Sequence, residues 1–445
     1  MNRALAEAIV GCLRLSGETT QDENKLNQFS LNDWERTFRW LDNAGLALYF
    51  LQRLKSKHAT EILPAPVLVR LEENLSQNQR RVSHMVHDFG FLNREFDQAG
   101  VNYAVMKGFS LVPAFCPDVC LRPQSDFDYL VDRQSLGAAW RVLDEAGYCP
   151  TRNSSTEFVF DRPPKRIPSR FDSPYRVETE PAVELHLATW DSEEHCVPLE
   201  GPHFSLDSKI NRQWNGLSFP TLNDEDAFLL QVQHVFQHML GYWVRLSWLL
   251  EVGYFLGQQR SETFFWKIEQ RSRERRCFTE FAAIVTGLSA RMFSAHVPST
   301  MKAWTEDLRP SARIWMDNFG RDWAFGNHPT HESSRFPATK LVLFLHQEYV
   351  PDPQIRRKLT RRRLFPWKGP PRIGIPPSPE PLVRLRALWR QWGFTFQMLG
   401  FHVGAGLRYL WELARWRRLN KVEAGFEFVG KRQLDKLGTS SVREK

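Results

Sequence analysis

Between residues 100 and 187 the chain drops helical periodicity for short apolar runs bounded by Gly, Pro and Asp, and this block constrains the fold more than any other feature. The runs are VNYAVMKG at 101–108, DFDYLVD at 126–132 and VELHL at 183–187, each of strand length. Between them, FSLVPAF reads as a short helix, CPDVCLRPQS as a loop, and 134–148 as a helix ended by Gly147. The Pro-, Arg- and Ser-rich stretch 151–176 reads as a hairpin or loop insertion. Strands alternating with helices at this spacing describe a small α/β unit.

On both sides of the block the pattern is helical. Residues 37–56 carry an apolar stripe near the 3.6-residue period, Pro64 and Pro66 interrupt it, and a second run covers 67–99. Beyond the block, Asn223 is a good N-cap, with Asp224, Glu225 and Asp226 in the first turn where the helix dipole favours acids. A chain of 445 residues accommodates about three domains. The expected division is a helical lead-in (1–97), an α/β core (98–220), a helical domain (221–350) and a basic Trp- and Arg-rich tail (351–445). A hydrophobic share of 42% excludes a disordered or collagen-like chain. The net charge of +8 is unevenly divided: 351–445 hold 21 Lys/Arg against 7 Asp/Glu, and 1–350 hold 38 against 44. An argument for a polyanionic partner therefore applies to the tail. Six scattered cysteines, and a first segment without a signal peptide's apolar core and cleavage site, point to the cytoplasm.

The sharpest chemical signal is Asp126-Phe127-Asp128 entering the apolar run Tyr129-Leu130-Val131. Residues two apart on a strand share a face, so the two carboxylates stand side by side, which is costly unless a cation lies between them. Mg2+ suits such a pair when substrate phosphates complete its shell. A solvated strand end is the plain alternative. Upstream, Lys107 and Gly108 sit at a strand-to-helix turn where the backbone can approach a phosphate, with Ser110 two residues on. Downstream, Glu184 lies between Val183 and Leu185 on an apolar strand, where a carboxylate needs an explanation, and His186 faces the same way. His234 and His238, four apart on one helix face, have metal-ligand spacing but no evident third ligand, and a face packed on the sheet explains them as well. A glycosyltransferase using D-x-D with Mn2+ is a further reading, disfavoured because its carboxylates follow an apolar strand, whereas these precede one.

In order along the chain, the motifs K-G-x-x-L (107–111), R-P-x-x-D-x-D-x-L-V (122–131) and V-E-L-H (183–186) resemble the uncharacterised nucleotidyltransferase family of the DNA polymerase β-like superfamily. The likeness continues in the Asn-rich helical lead-in and in His234 to His238 followed by RLSWLLE at 245–251, and it covers about residues 35–260. It implies an α/β (α+β) fold, a small mixed sheet flanked by N-terminal helices and a C-terminal helical domain. It also implies Asp126, Asp128 and Glu184 as catalytic metal carboxylates for Mg2+ or Mn2+, with Lys107, Gly108, Ser110 and Arg122 on the phosphates of an NTP. His186, His234, His238 and Arg245 would support them. An acceptor hydroxyl or phosphate on a small molecule, glycan or protein would attack the α-phosphorus, and pyrophosphate would leave. Two departures stand out: Phe109 separates Gly108 from Ser110, where the superfamily carries Gly-Ser or Gly-Gly, and Glu251 replaces the more usual Asp. They keep open a non-catalytic protein of the same fold, acting as a membrane- or partner-binding module in surface-polysaccharide or peptide-modification biosynthesis.

In the tail, PDPQIRRKLTRRRLFPWKGPPRIGIPPSPEP (351–381) reads as irregular, and QWGFTFQMLGFHVGAGL (391–407) is free of charged residues. That stretch is short and polar for a bilayer span, and the Trp and Arg residues around it fit a helix lying at a membrane surface. Residues 380–419 are thus expected either to meet an anionic membrane, peripherally at the inner face, or to pack on the body. Nucleic acid is disfavoured, since no recognition fold is visible.

Overall fold

The computed structural model describes residues 1–162, 174–175, 180–199, 204–241, 243–258, 261–274, 277–326, 339–365 and 381–440, with the side chains of the last helix described over 382–421. Seven strands form one mixed sheet: β1 (Tyr103–Val105), β2 (Asp126–Val131), β3 (Cys149–Asn153), β4 (Glu157–Asp161), β5 (Ala182–His186), β6 (Ile210–Trp214) and β7 (Leu217–Thr221). Their spatial order is β3-β4-β5-β2-β1-β7-β6. β2 is central, antiparallel to β1 and parallel to β5, and the β5 register places Asp126 beside Ala182, Asp128 beside Glu184 and Leu130 beside His186.

The alternation within β2 decides which face carries the chemistry. Phe127 and Tyr129 point toward the 34-residue helix Ala65–Gln98, where Phe89 lies 5.7 Å from Phe127 and Phe96 meets Tyr129 edge-on at 5.1 Å. Phe109, Phe219 and Tyr103 complete this aromatic layer. The intervening residues Asp126 and Asp128 therefore project from the opposite face. Burying one face this thoroughly fixes the register, because a slip by one residue would drive both aspartates into the aromatic layer.

The expected strands, the helix Leu136–Glu145 and the Asn223 cap are present, the last with the Asp226 N–H donating to Asn223 Oδ1 at 2.8 Å. The stretch 151–176 begins with the β3–β4 hairpin, and most of its remainder lies outside the described residues. Two expectations are corrected and one element is new. The turn after β1 is a single 3-10 turn, Gly108–Leu111, too short to present a helix N-terminus. An unanticipated β6–β7 hairpin extends the sheet, its turn formed by Asn215 and Gly216 with φ of 48° and 77°. The tail's first part is a helix, Pro353–Leu364, capped by Asp352 with Pro353 at the first helical position; 366–380 lie outside the described residues.

The chain divides into two compact units, Met1–His238 with Val244–Glu306, and Met239–Trp243 with Asp307–Lys445. The sheet belongs to the first. The second ends in the helix Pro381–Ser440, whose Phe394, Met398, Ala405, Tyr409 and Trp416 are buried. Within that unit Trp416 stacks on Phe344 at 5.1 Å and Tyr409 stacks on it at 4.5 Å. Among the described residues no helix is long and apolar enough to cross a membrane.

Candidate active site

The polar face of β2 and β5 gathers five titratable side chains. Lys107, just past β1, donates from Nζ to Asp128 Oδ1 at 2.6 Å. His186 Nε2 lies 3.2 Å from the same oxygen and 3.5 Å from Glu184 Oε2. Asp128 is 3% exposed, so its charge must be neutralised locally. Burial alone would raise its pKa, but Lys107 and His186 outweigh that and hold the carboxyl well below the usual range. Burial likewise opposes charge on Lys107 and on His186, yet the carboxylates raise them to about 12 and about 9. Glu184 is pushed up to about 7 by burial, with the charges of Asp128 and Asp126 adding to it and the His186 bond opposing. Asp126 is raised by burial and by Asp128, and its carboxylate has no hydrogen bond or ion pair among the described residues.

Ligand atoms of Asp128, Glu184 and His186 all lie within 4.8 Å of one another. Two carboxylates suit a hard divalent ion, and an imidazole widens the choice toward transition metals. The donor set thus fits a divalent cation, for which His186 would give up its second ring proton, while the Lys107 ammonium supplies positive charge to Asp128. Asp126, expected with Asp128 and Glu184, stands outside this set, while His186, expected in support, offers a ligand atom itself.

The remaining predicted residues are placed as follows. Gly108 has φ +64°, a conformation that favours glycine, and a Cβ there would meet Gln124 Oε1 at 3.1 Å. Ser110 is buried and its hydroxyl donates to Lys107 O at 3.2 Å, closing the turn rather than facing outward. Arg122 donates from Nε to Glu251 at 2.8 Å in a buried pair, and Tyr49 donates to the same carboxylate at 2.9 Å. Its nearest counter-charge is thus a helix carboxylate. Arg245 donates from Nη1 to Pro123 O at 2.7 Å, tying the loop before β2 to the helix Leu246–Gly257. His234 and His238 stack near Trp248, at 4.6 and 4.8 Å, and burial with the Lys107 charge depresses both far below the usual range. Neither joins the Asp128–Glu184–His186 set.

A family model described as uncharacterised nucleotidyltransferase matches residues 30–294, more than half of the chain. The chain belongs to that family. No curated protein and no solved structure matches it. Membership in the uncharacterised nucleotidyltransferase family points to nucleotidyl transfer as the class of activity. The matched segment contains β1 to β7 and both partners of the Arg122–Glu251 pair.

Three residues near Asp126 escaped sequence reasoning: Asn78, Arg81 and Gln124. Asn78 Nδ2 donates to the carbonyls of Cys120 and Arg122 at 2.7 and 3.1 Å and so pins the loop that delivers β2. Asn78 and Arg81 are three apart on one helix, a shared face that could have been marked in ENLSQNQRR. Gln124 carried no local signal beyond its place two residues before Asp126.

Proposed function

We propose that this chain transfers a nucleoside monophosphate from an NTP to a hydroxyl or phosphate of a small molecule, glycan or protein, releasing pyrophosphate. The observation that carries the reading is the pairing of Asp128 with Glu184 across parallel strands, with His186 and Lys107 on the same carboxylates. Asp128, Glu184 and His186 would hold the divalent ion, Mg2+ or Mn2+, with Asp126 beside them. When bound, such an ion neutralises charge on the phosphates and orients the α-phosphorus for in-line attack. Lys107 and the Gly108 turn orient the triphosphate. Asp126, without a hydrogen bond of its own, is the carboxylate positioned to accept the proton of an acceptor hydroxyl. A bond forms between the acceptor oxygen and the α-phosphorus, the bond to the β-phosphate's bridging oxygen breaks, and pyrophosphate carries away the electron pair. Incubation with each labelled NTP, Mg2+ and cell extract should label an acceptor, and Asp128→Asn should reduce that labelling by about a thousandfold, as expected for loss of electrostatic stabilisation at the reacting phosphate. Equal labelling by the variant would sink the reading.

A second element favours a location. The helix Pro381–Ser440 has two apolar faces: opposite the packed one, Leu388, Trp392, Phe396, Leu399, Val403 and Leu407 recur every three or four residues, each half or more exposed. Over 382–421 seven Arg and one Lys accompany a single Glu. Like charge disfavours pairing with a second copy, and we read this face as lying on an anionic membrane surface.

A further inference from the structure

The loop before β2 is surrounded by three arginines, and only one is neutralised. Arg122 has Glu251. Arg81, from the helix Ala65–Gln98, is 3% exposed; its Nη1 donates to Pro174 O at 3.3 Å and its Nε is buried without a partner. Arg245 bonds Pro123 O through Nη1, and its Nε is likewise buried and unpartnered. Neither Arg81 nor Arg245 has a carboxylate within ion-pair distance among the described residues. Burial pulls the Arg81 guanidinium down to about 10, and the two groups acting on it through space are Asp126, which opposes the shift, and Arg245, which adds to it. The two arginines are therefore within electrostatic reach of each other and of Asp126.

Gln124 adds the second observation. It is 5% exposed, and neither Oε1 nor Nε2 has a partner. Its carboxamide lies over the Gly108 turn, as the 3.1 Å approach of Oε1 to a Cβ built there requires. The loop cannot turn to satisfy these groups, because Asn78, Arg245 and the Arg122–Glu251 pair pin its backbone. Arg81 and Arg245, neither of them ion-paired among the described residues, and an unbonded carboxamide are each destabilising, and a fixed loop that retains all three is organised around something it binds.

We propose that Arg81, Arg245 and Gln124 form a phosphate-binding subsite beside Asp126, separate from the Asp128–Glu184–His186 set. A phosphate dianion supplies an ion-pair partner to both forks and accepts from Gln124 Nε2, while Gln124 Oε1 accepts from a ligand hydroxyl. The phosphate belongs either to the tail of the NTP or to the acceptor. This assignment of role rests on the nucleotidyl-transfer reading; the existence of the subsite does not.

The test is calorimetry on the full chain with two probes, inorganic tripolyphosphate with Mg2+ and inorganic phosphate alone, on wild type, Arg81→Met, Arg245→Met, Gln124→Leu and Asp128→Asn. Each substitution in the subsite should weaken one probe at least tenfold. Gln124→Leu should also raise Tm, because it removes two unbonded polar atoms, whereas a residue with a merely structural role would raise Tm and leave binding unmoved. Loss of tripolyphosphate binding assigns the subsite to the NTP tail. Unchanged tripolyphosphate binding, with inorganic phosphate then binding the tripolyphosphate-saturated wild type but not Arg81→Met, assigns it to the acceptor. If Arg81→Met does not fold, Arg245→Met and Gln124→Leu decide alone. The subsite is overturned if wild type binds neither probe or if the folded variants bind both within twofold of wild type, even where Asp128→Asn abolishes tripolyphosphate binding and so upholds the nucleotidyl-transfer reading. Phosphate binding that needs Arg81 while tripolyphosphate binding ignores Asp128→Asn upholds the subsite and defeats that reading instead.

Discussion

Single residues here are defined by partners far away in the chain. Arg122 follows a loop and precedes the carboxylates, so the sequence suggests a phosphate ligand; Glu251, its partner, lies 129 positions on. Arg122 is 8% exposed and Glu251 fully buried. Removing one member of a buried pair leaves the other charge uncompensated, at a typical cost of ~3–5 kcal/mol, whereas replacing both with apolar groups is often neutral. Arg122→Met should therefore lower unfolding stability by about that amount in urea titration, and Arg122→Met/Glu251→Leu should recover most of it. Were Arg122 chiefly a phosphate ligand, the single variant would keep its stability and lose only nucleotide binding. The shared strand face of Asp126 and Asp128 was legible because strand periodicity is local, whereas the partner of Arg122 and the surroundings of Arg81 and Gln124 were not, because they depend on which distant groups meet them.

At the scale of elements, the strands from 101 to 187 were legible because apolar alternation and punctuation are local signals, while β6 and β7 were missed although Asn215-Gly216 is a strong hairpin turn signal. The helix Leu246–Gly257 shows a constraint that no local pattern reveals. A Cβ at Gly253 would come within 2.6 Å of Leu15 Cδ1 and 2.9 Å of Ser289 Oγ, and Ser289 already donates to Leu249 O at 2.7 Å. Gly253→Ala should thus cost about 1–3 kcal/mol by overpacking, despite alanine's better helix propensity, and a denaturant midpoint that rises instead would show that this helix and the helix Phe278–Phe293, which carries Ser289, separate freely. In the tail helix apolar residues for packing and for exposure interleave in sequence, and the structure separates them into one packed and one exposed face. Leu399→Asp/Val403→Asp alters only the exposed face, so the protein should keep its Tm but lose flotation with phosphatidylglycerol vesicles. Equal flotation of the variant, or wild-type flotation as strong on neutral vesicles, would exclude the anionic-surface reading.

For the whole molecule, charge divides along the chain: the −6 balance of residues 1–350 accompanies the Asp128–Glu184–His186 set, and the +14 balance of 351–445 accompanies the exposed apolar helix face that we read as meeting an anionic surface. The first compact unit also contains all six cysteines, every one a free thiol, at depths that report on its integrity. Cys149 is exposed on β3; Cys12 and Cys116 are buried. Burial first, then the Glu23 and Asp22 charges, push Cys12 up to about 12, and burial with Glu251 pushes Cys116 to about 12 despite the Tyr49 hydrogen bond. Only the thiolate alkylates, so at pH 8 these two present roughly one part in 10⁴ as thiolate, against about a quarter for an unperturbed thiol. Iodoacetamide followed by mass spectrometry should therefore modify Cys149 in the native protein and spare Cys12 and Cys116, whose rates should rise about a hundredfold between pH 8 and 10 while the fold holds. Added urea should expose both buried thiols over one concentration range, because the Cys12 helix and the Cys116 loop belong to the same compact unit and domains of this kind open cooperatively. Labelling of Cys12 well before Cys116 would mean that the helix Arg3–Cys12 opens first, while the loop before β2 stays pinned by Glu251, Asn78 and Arg245.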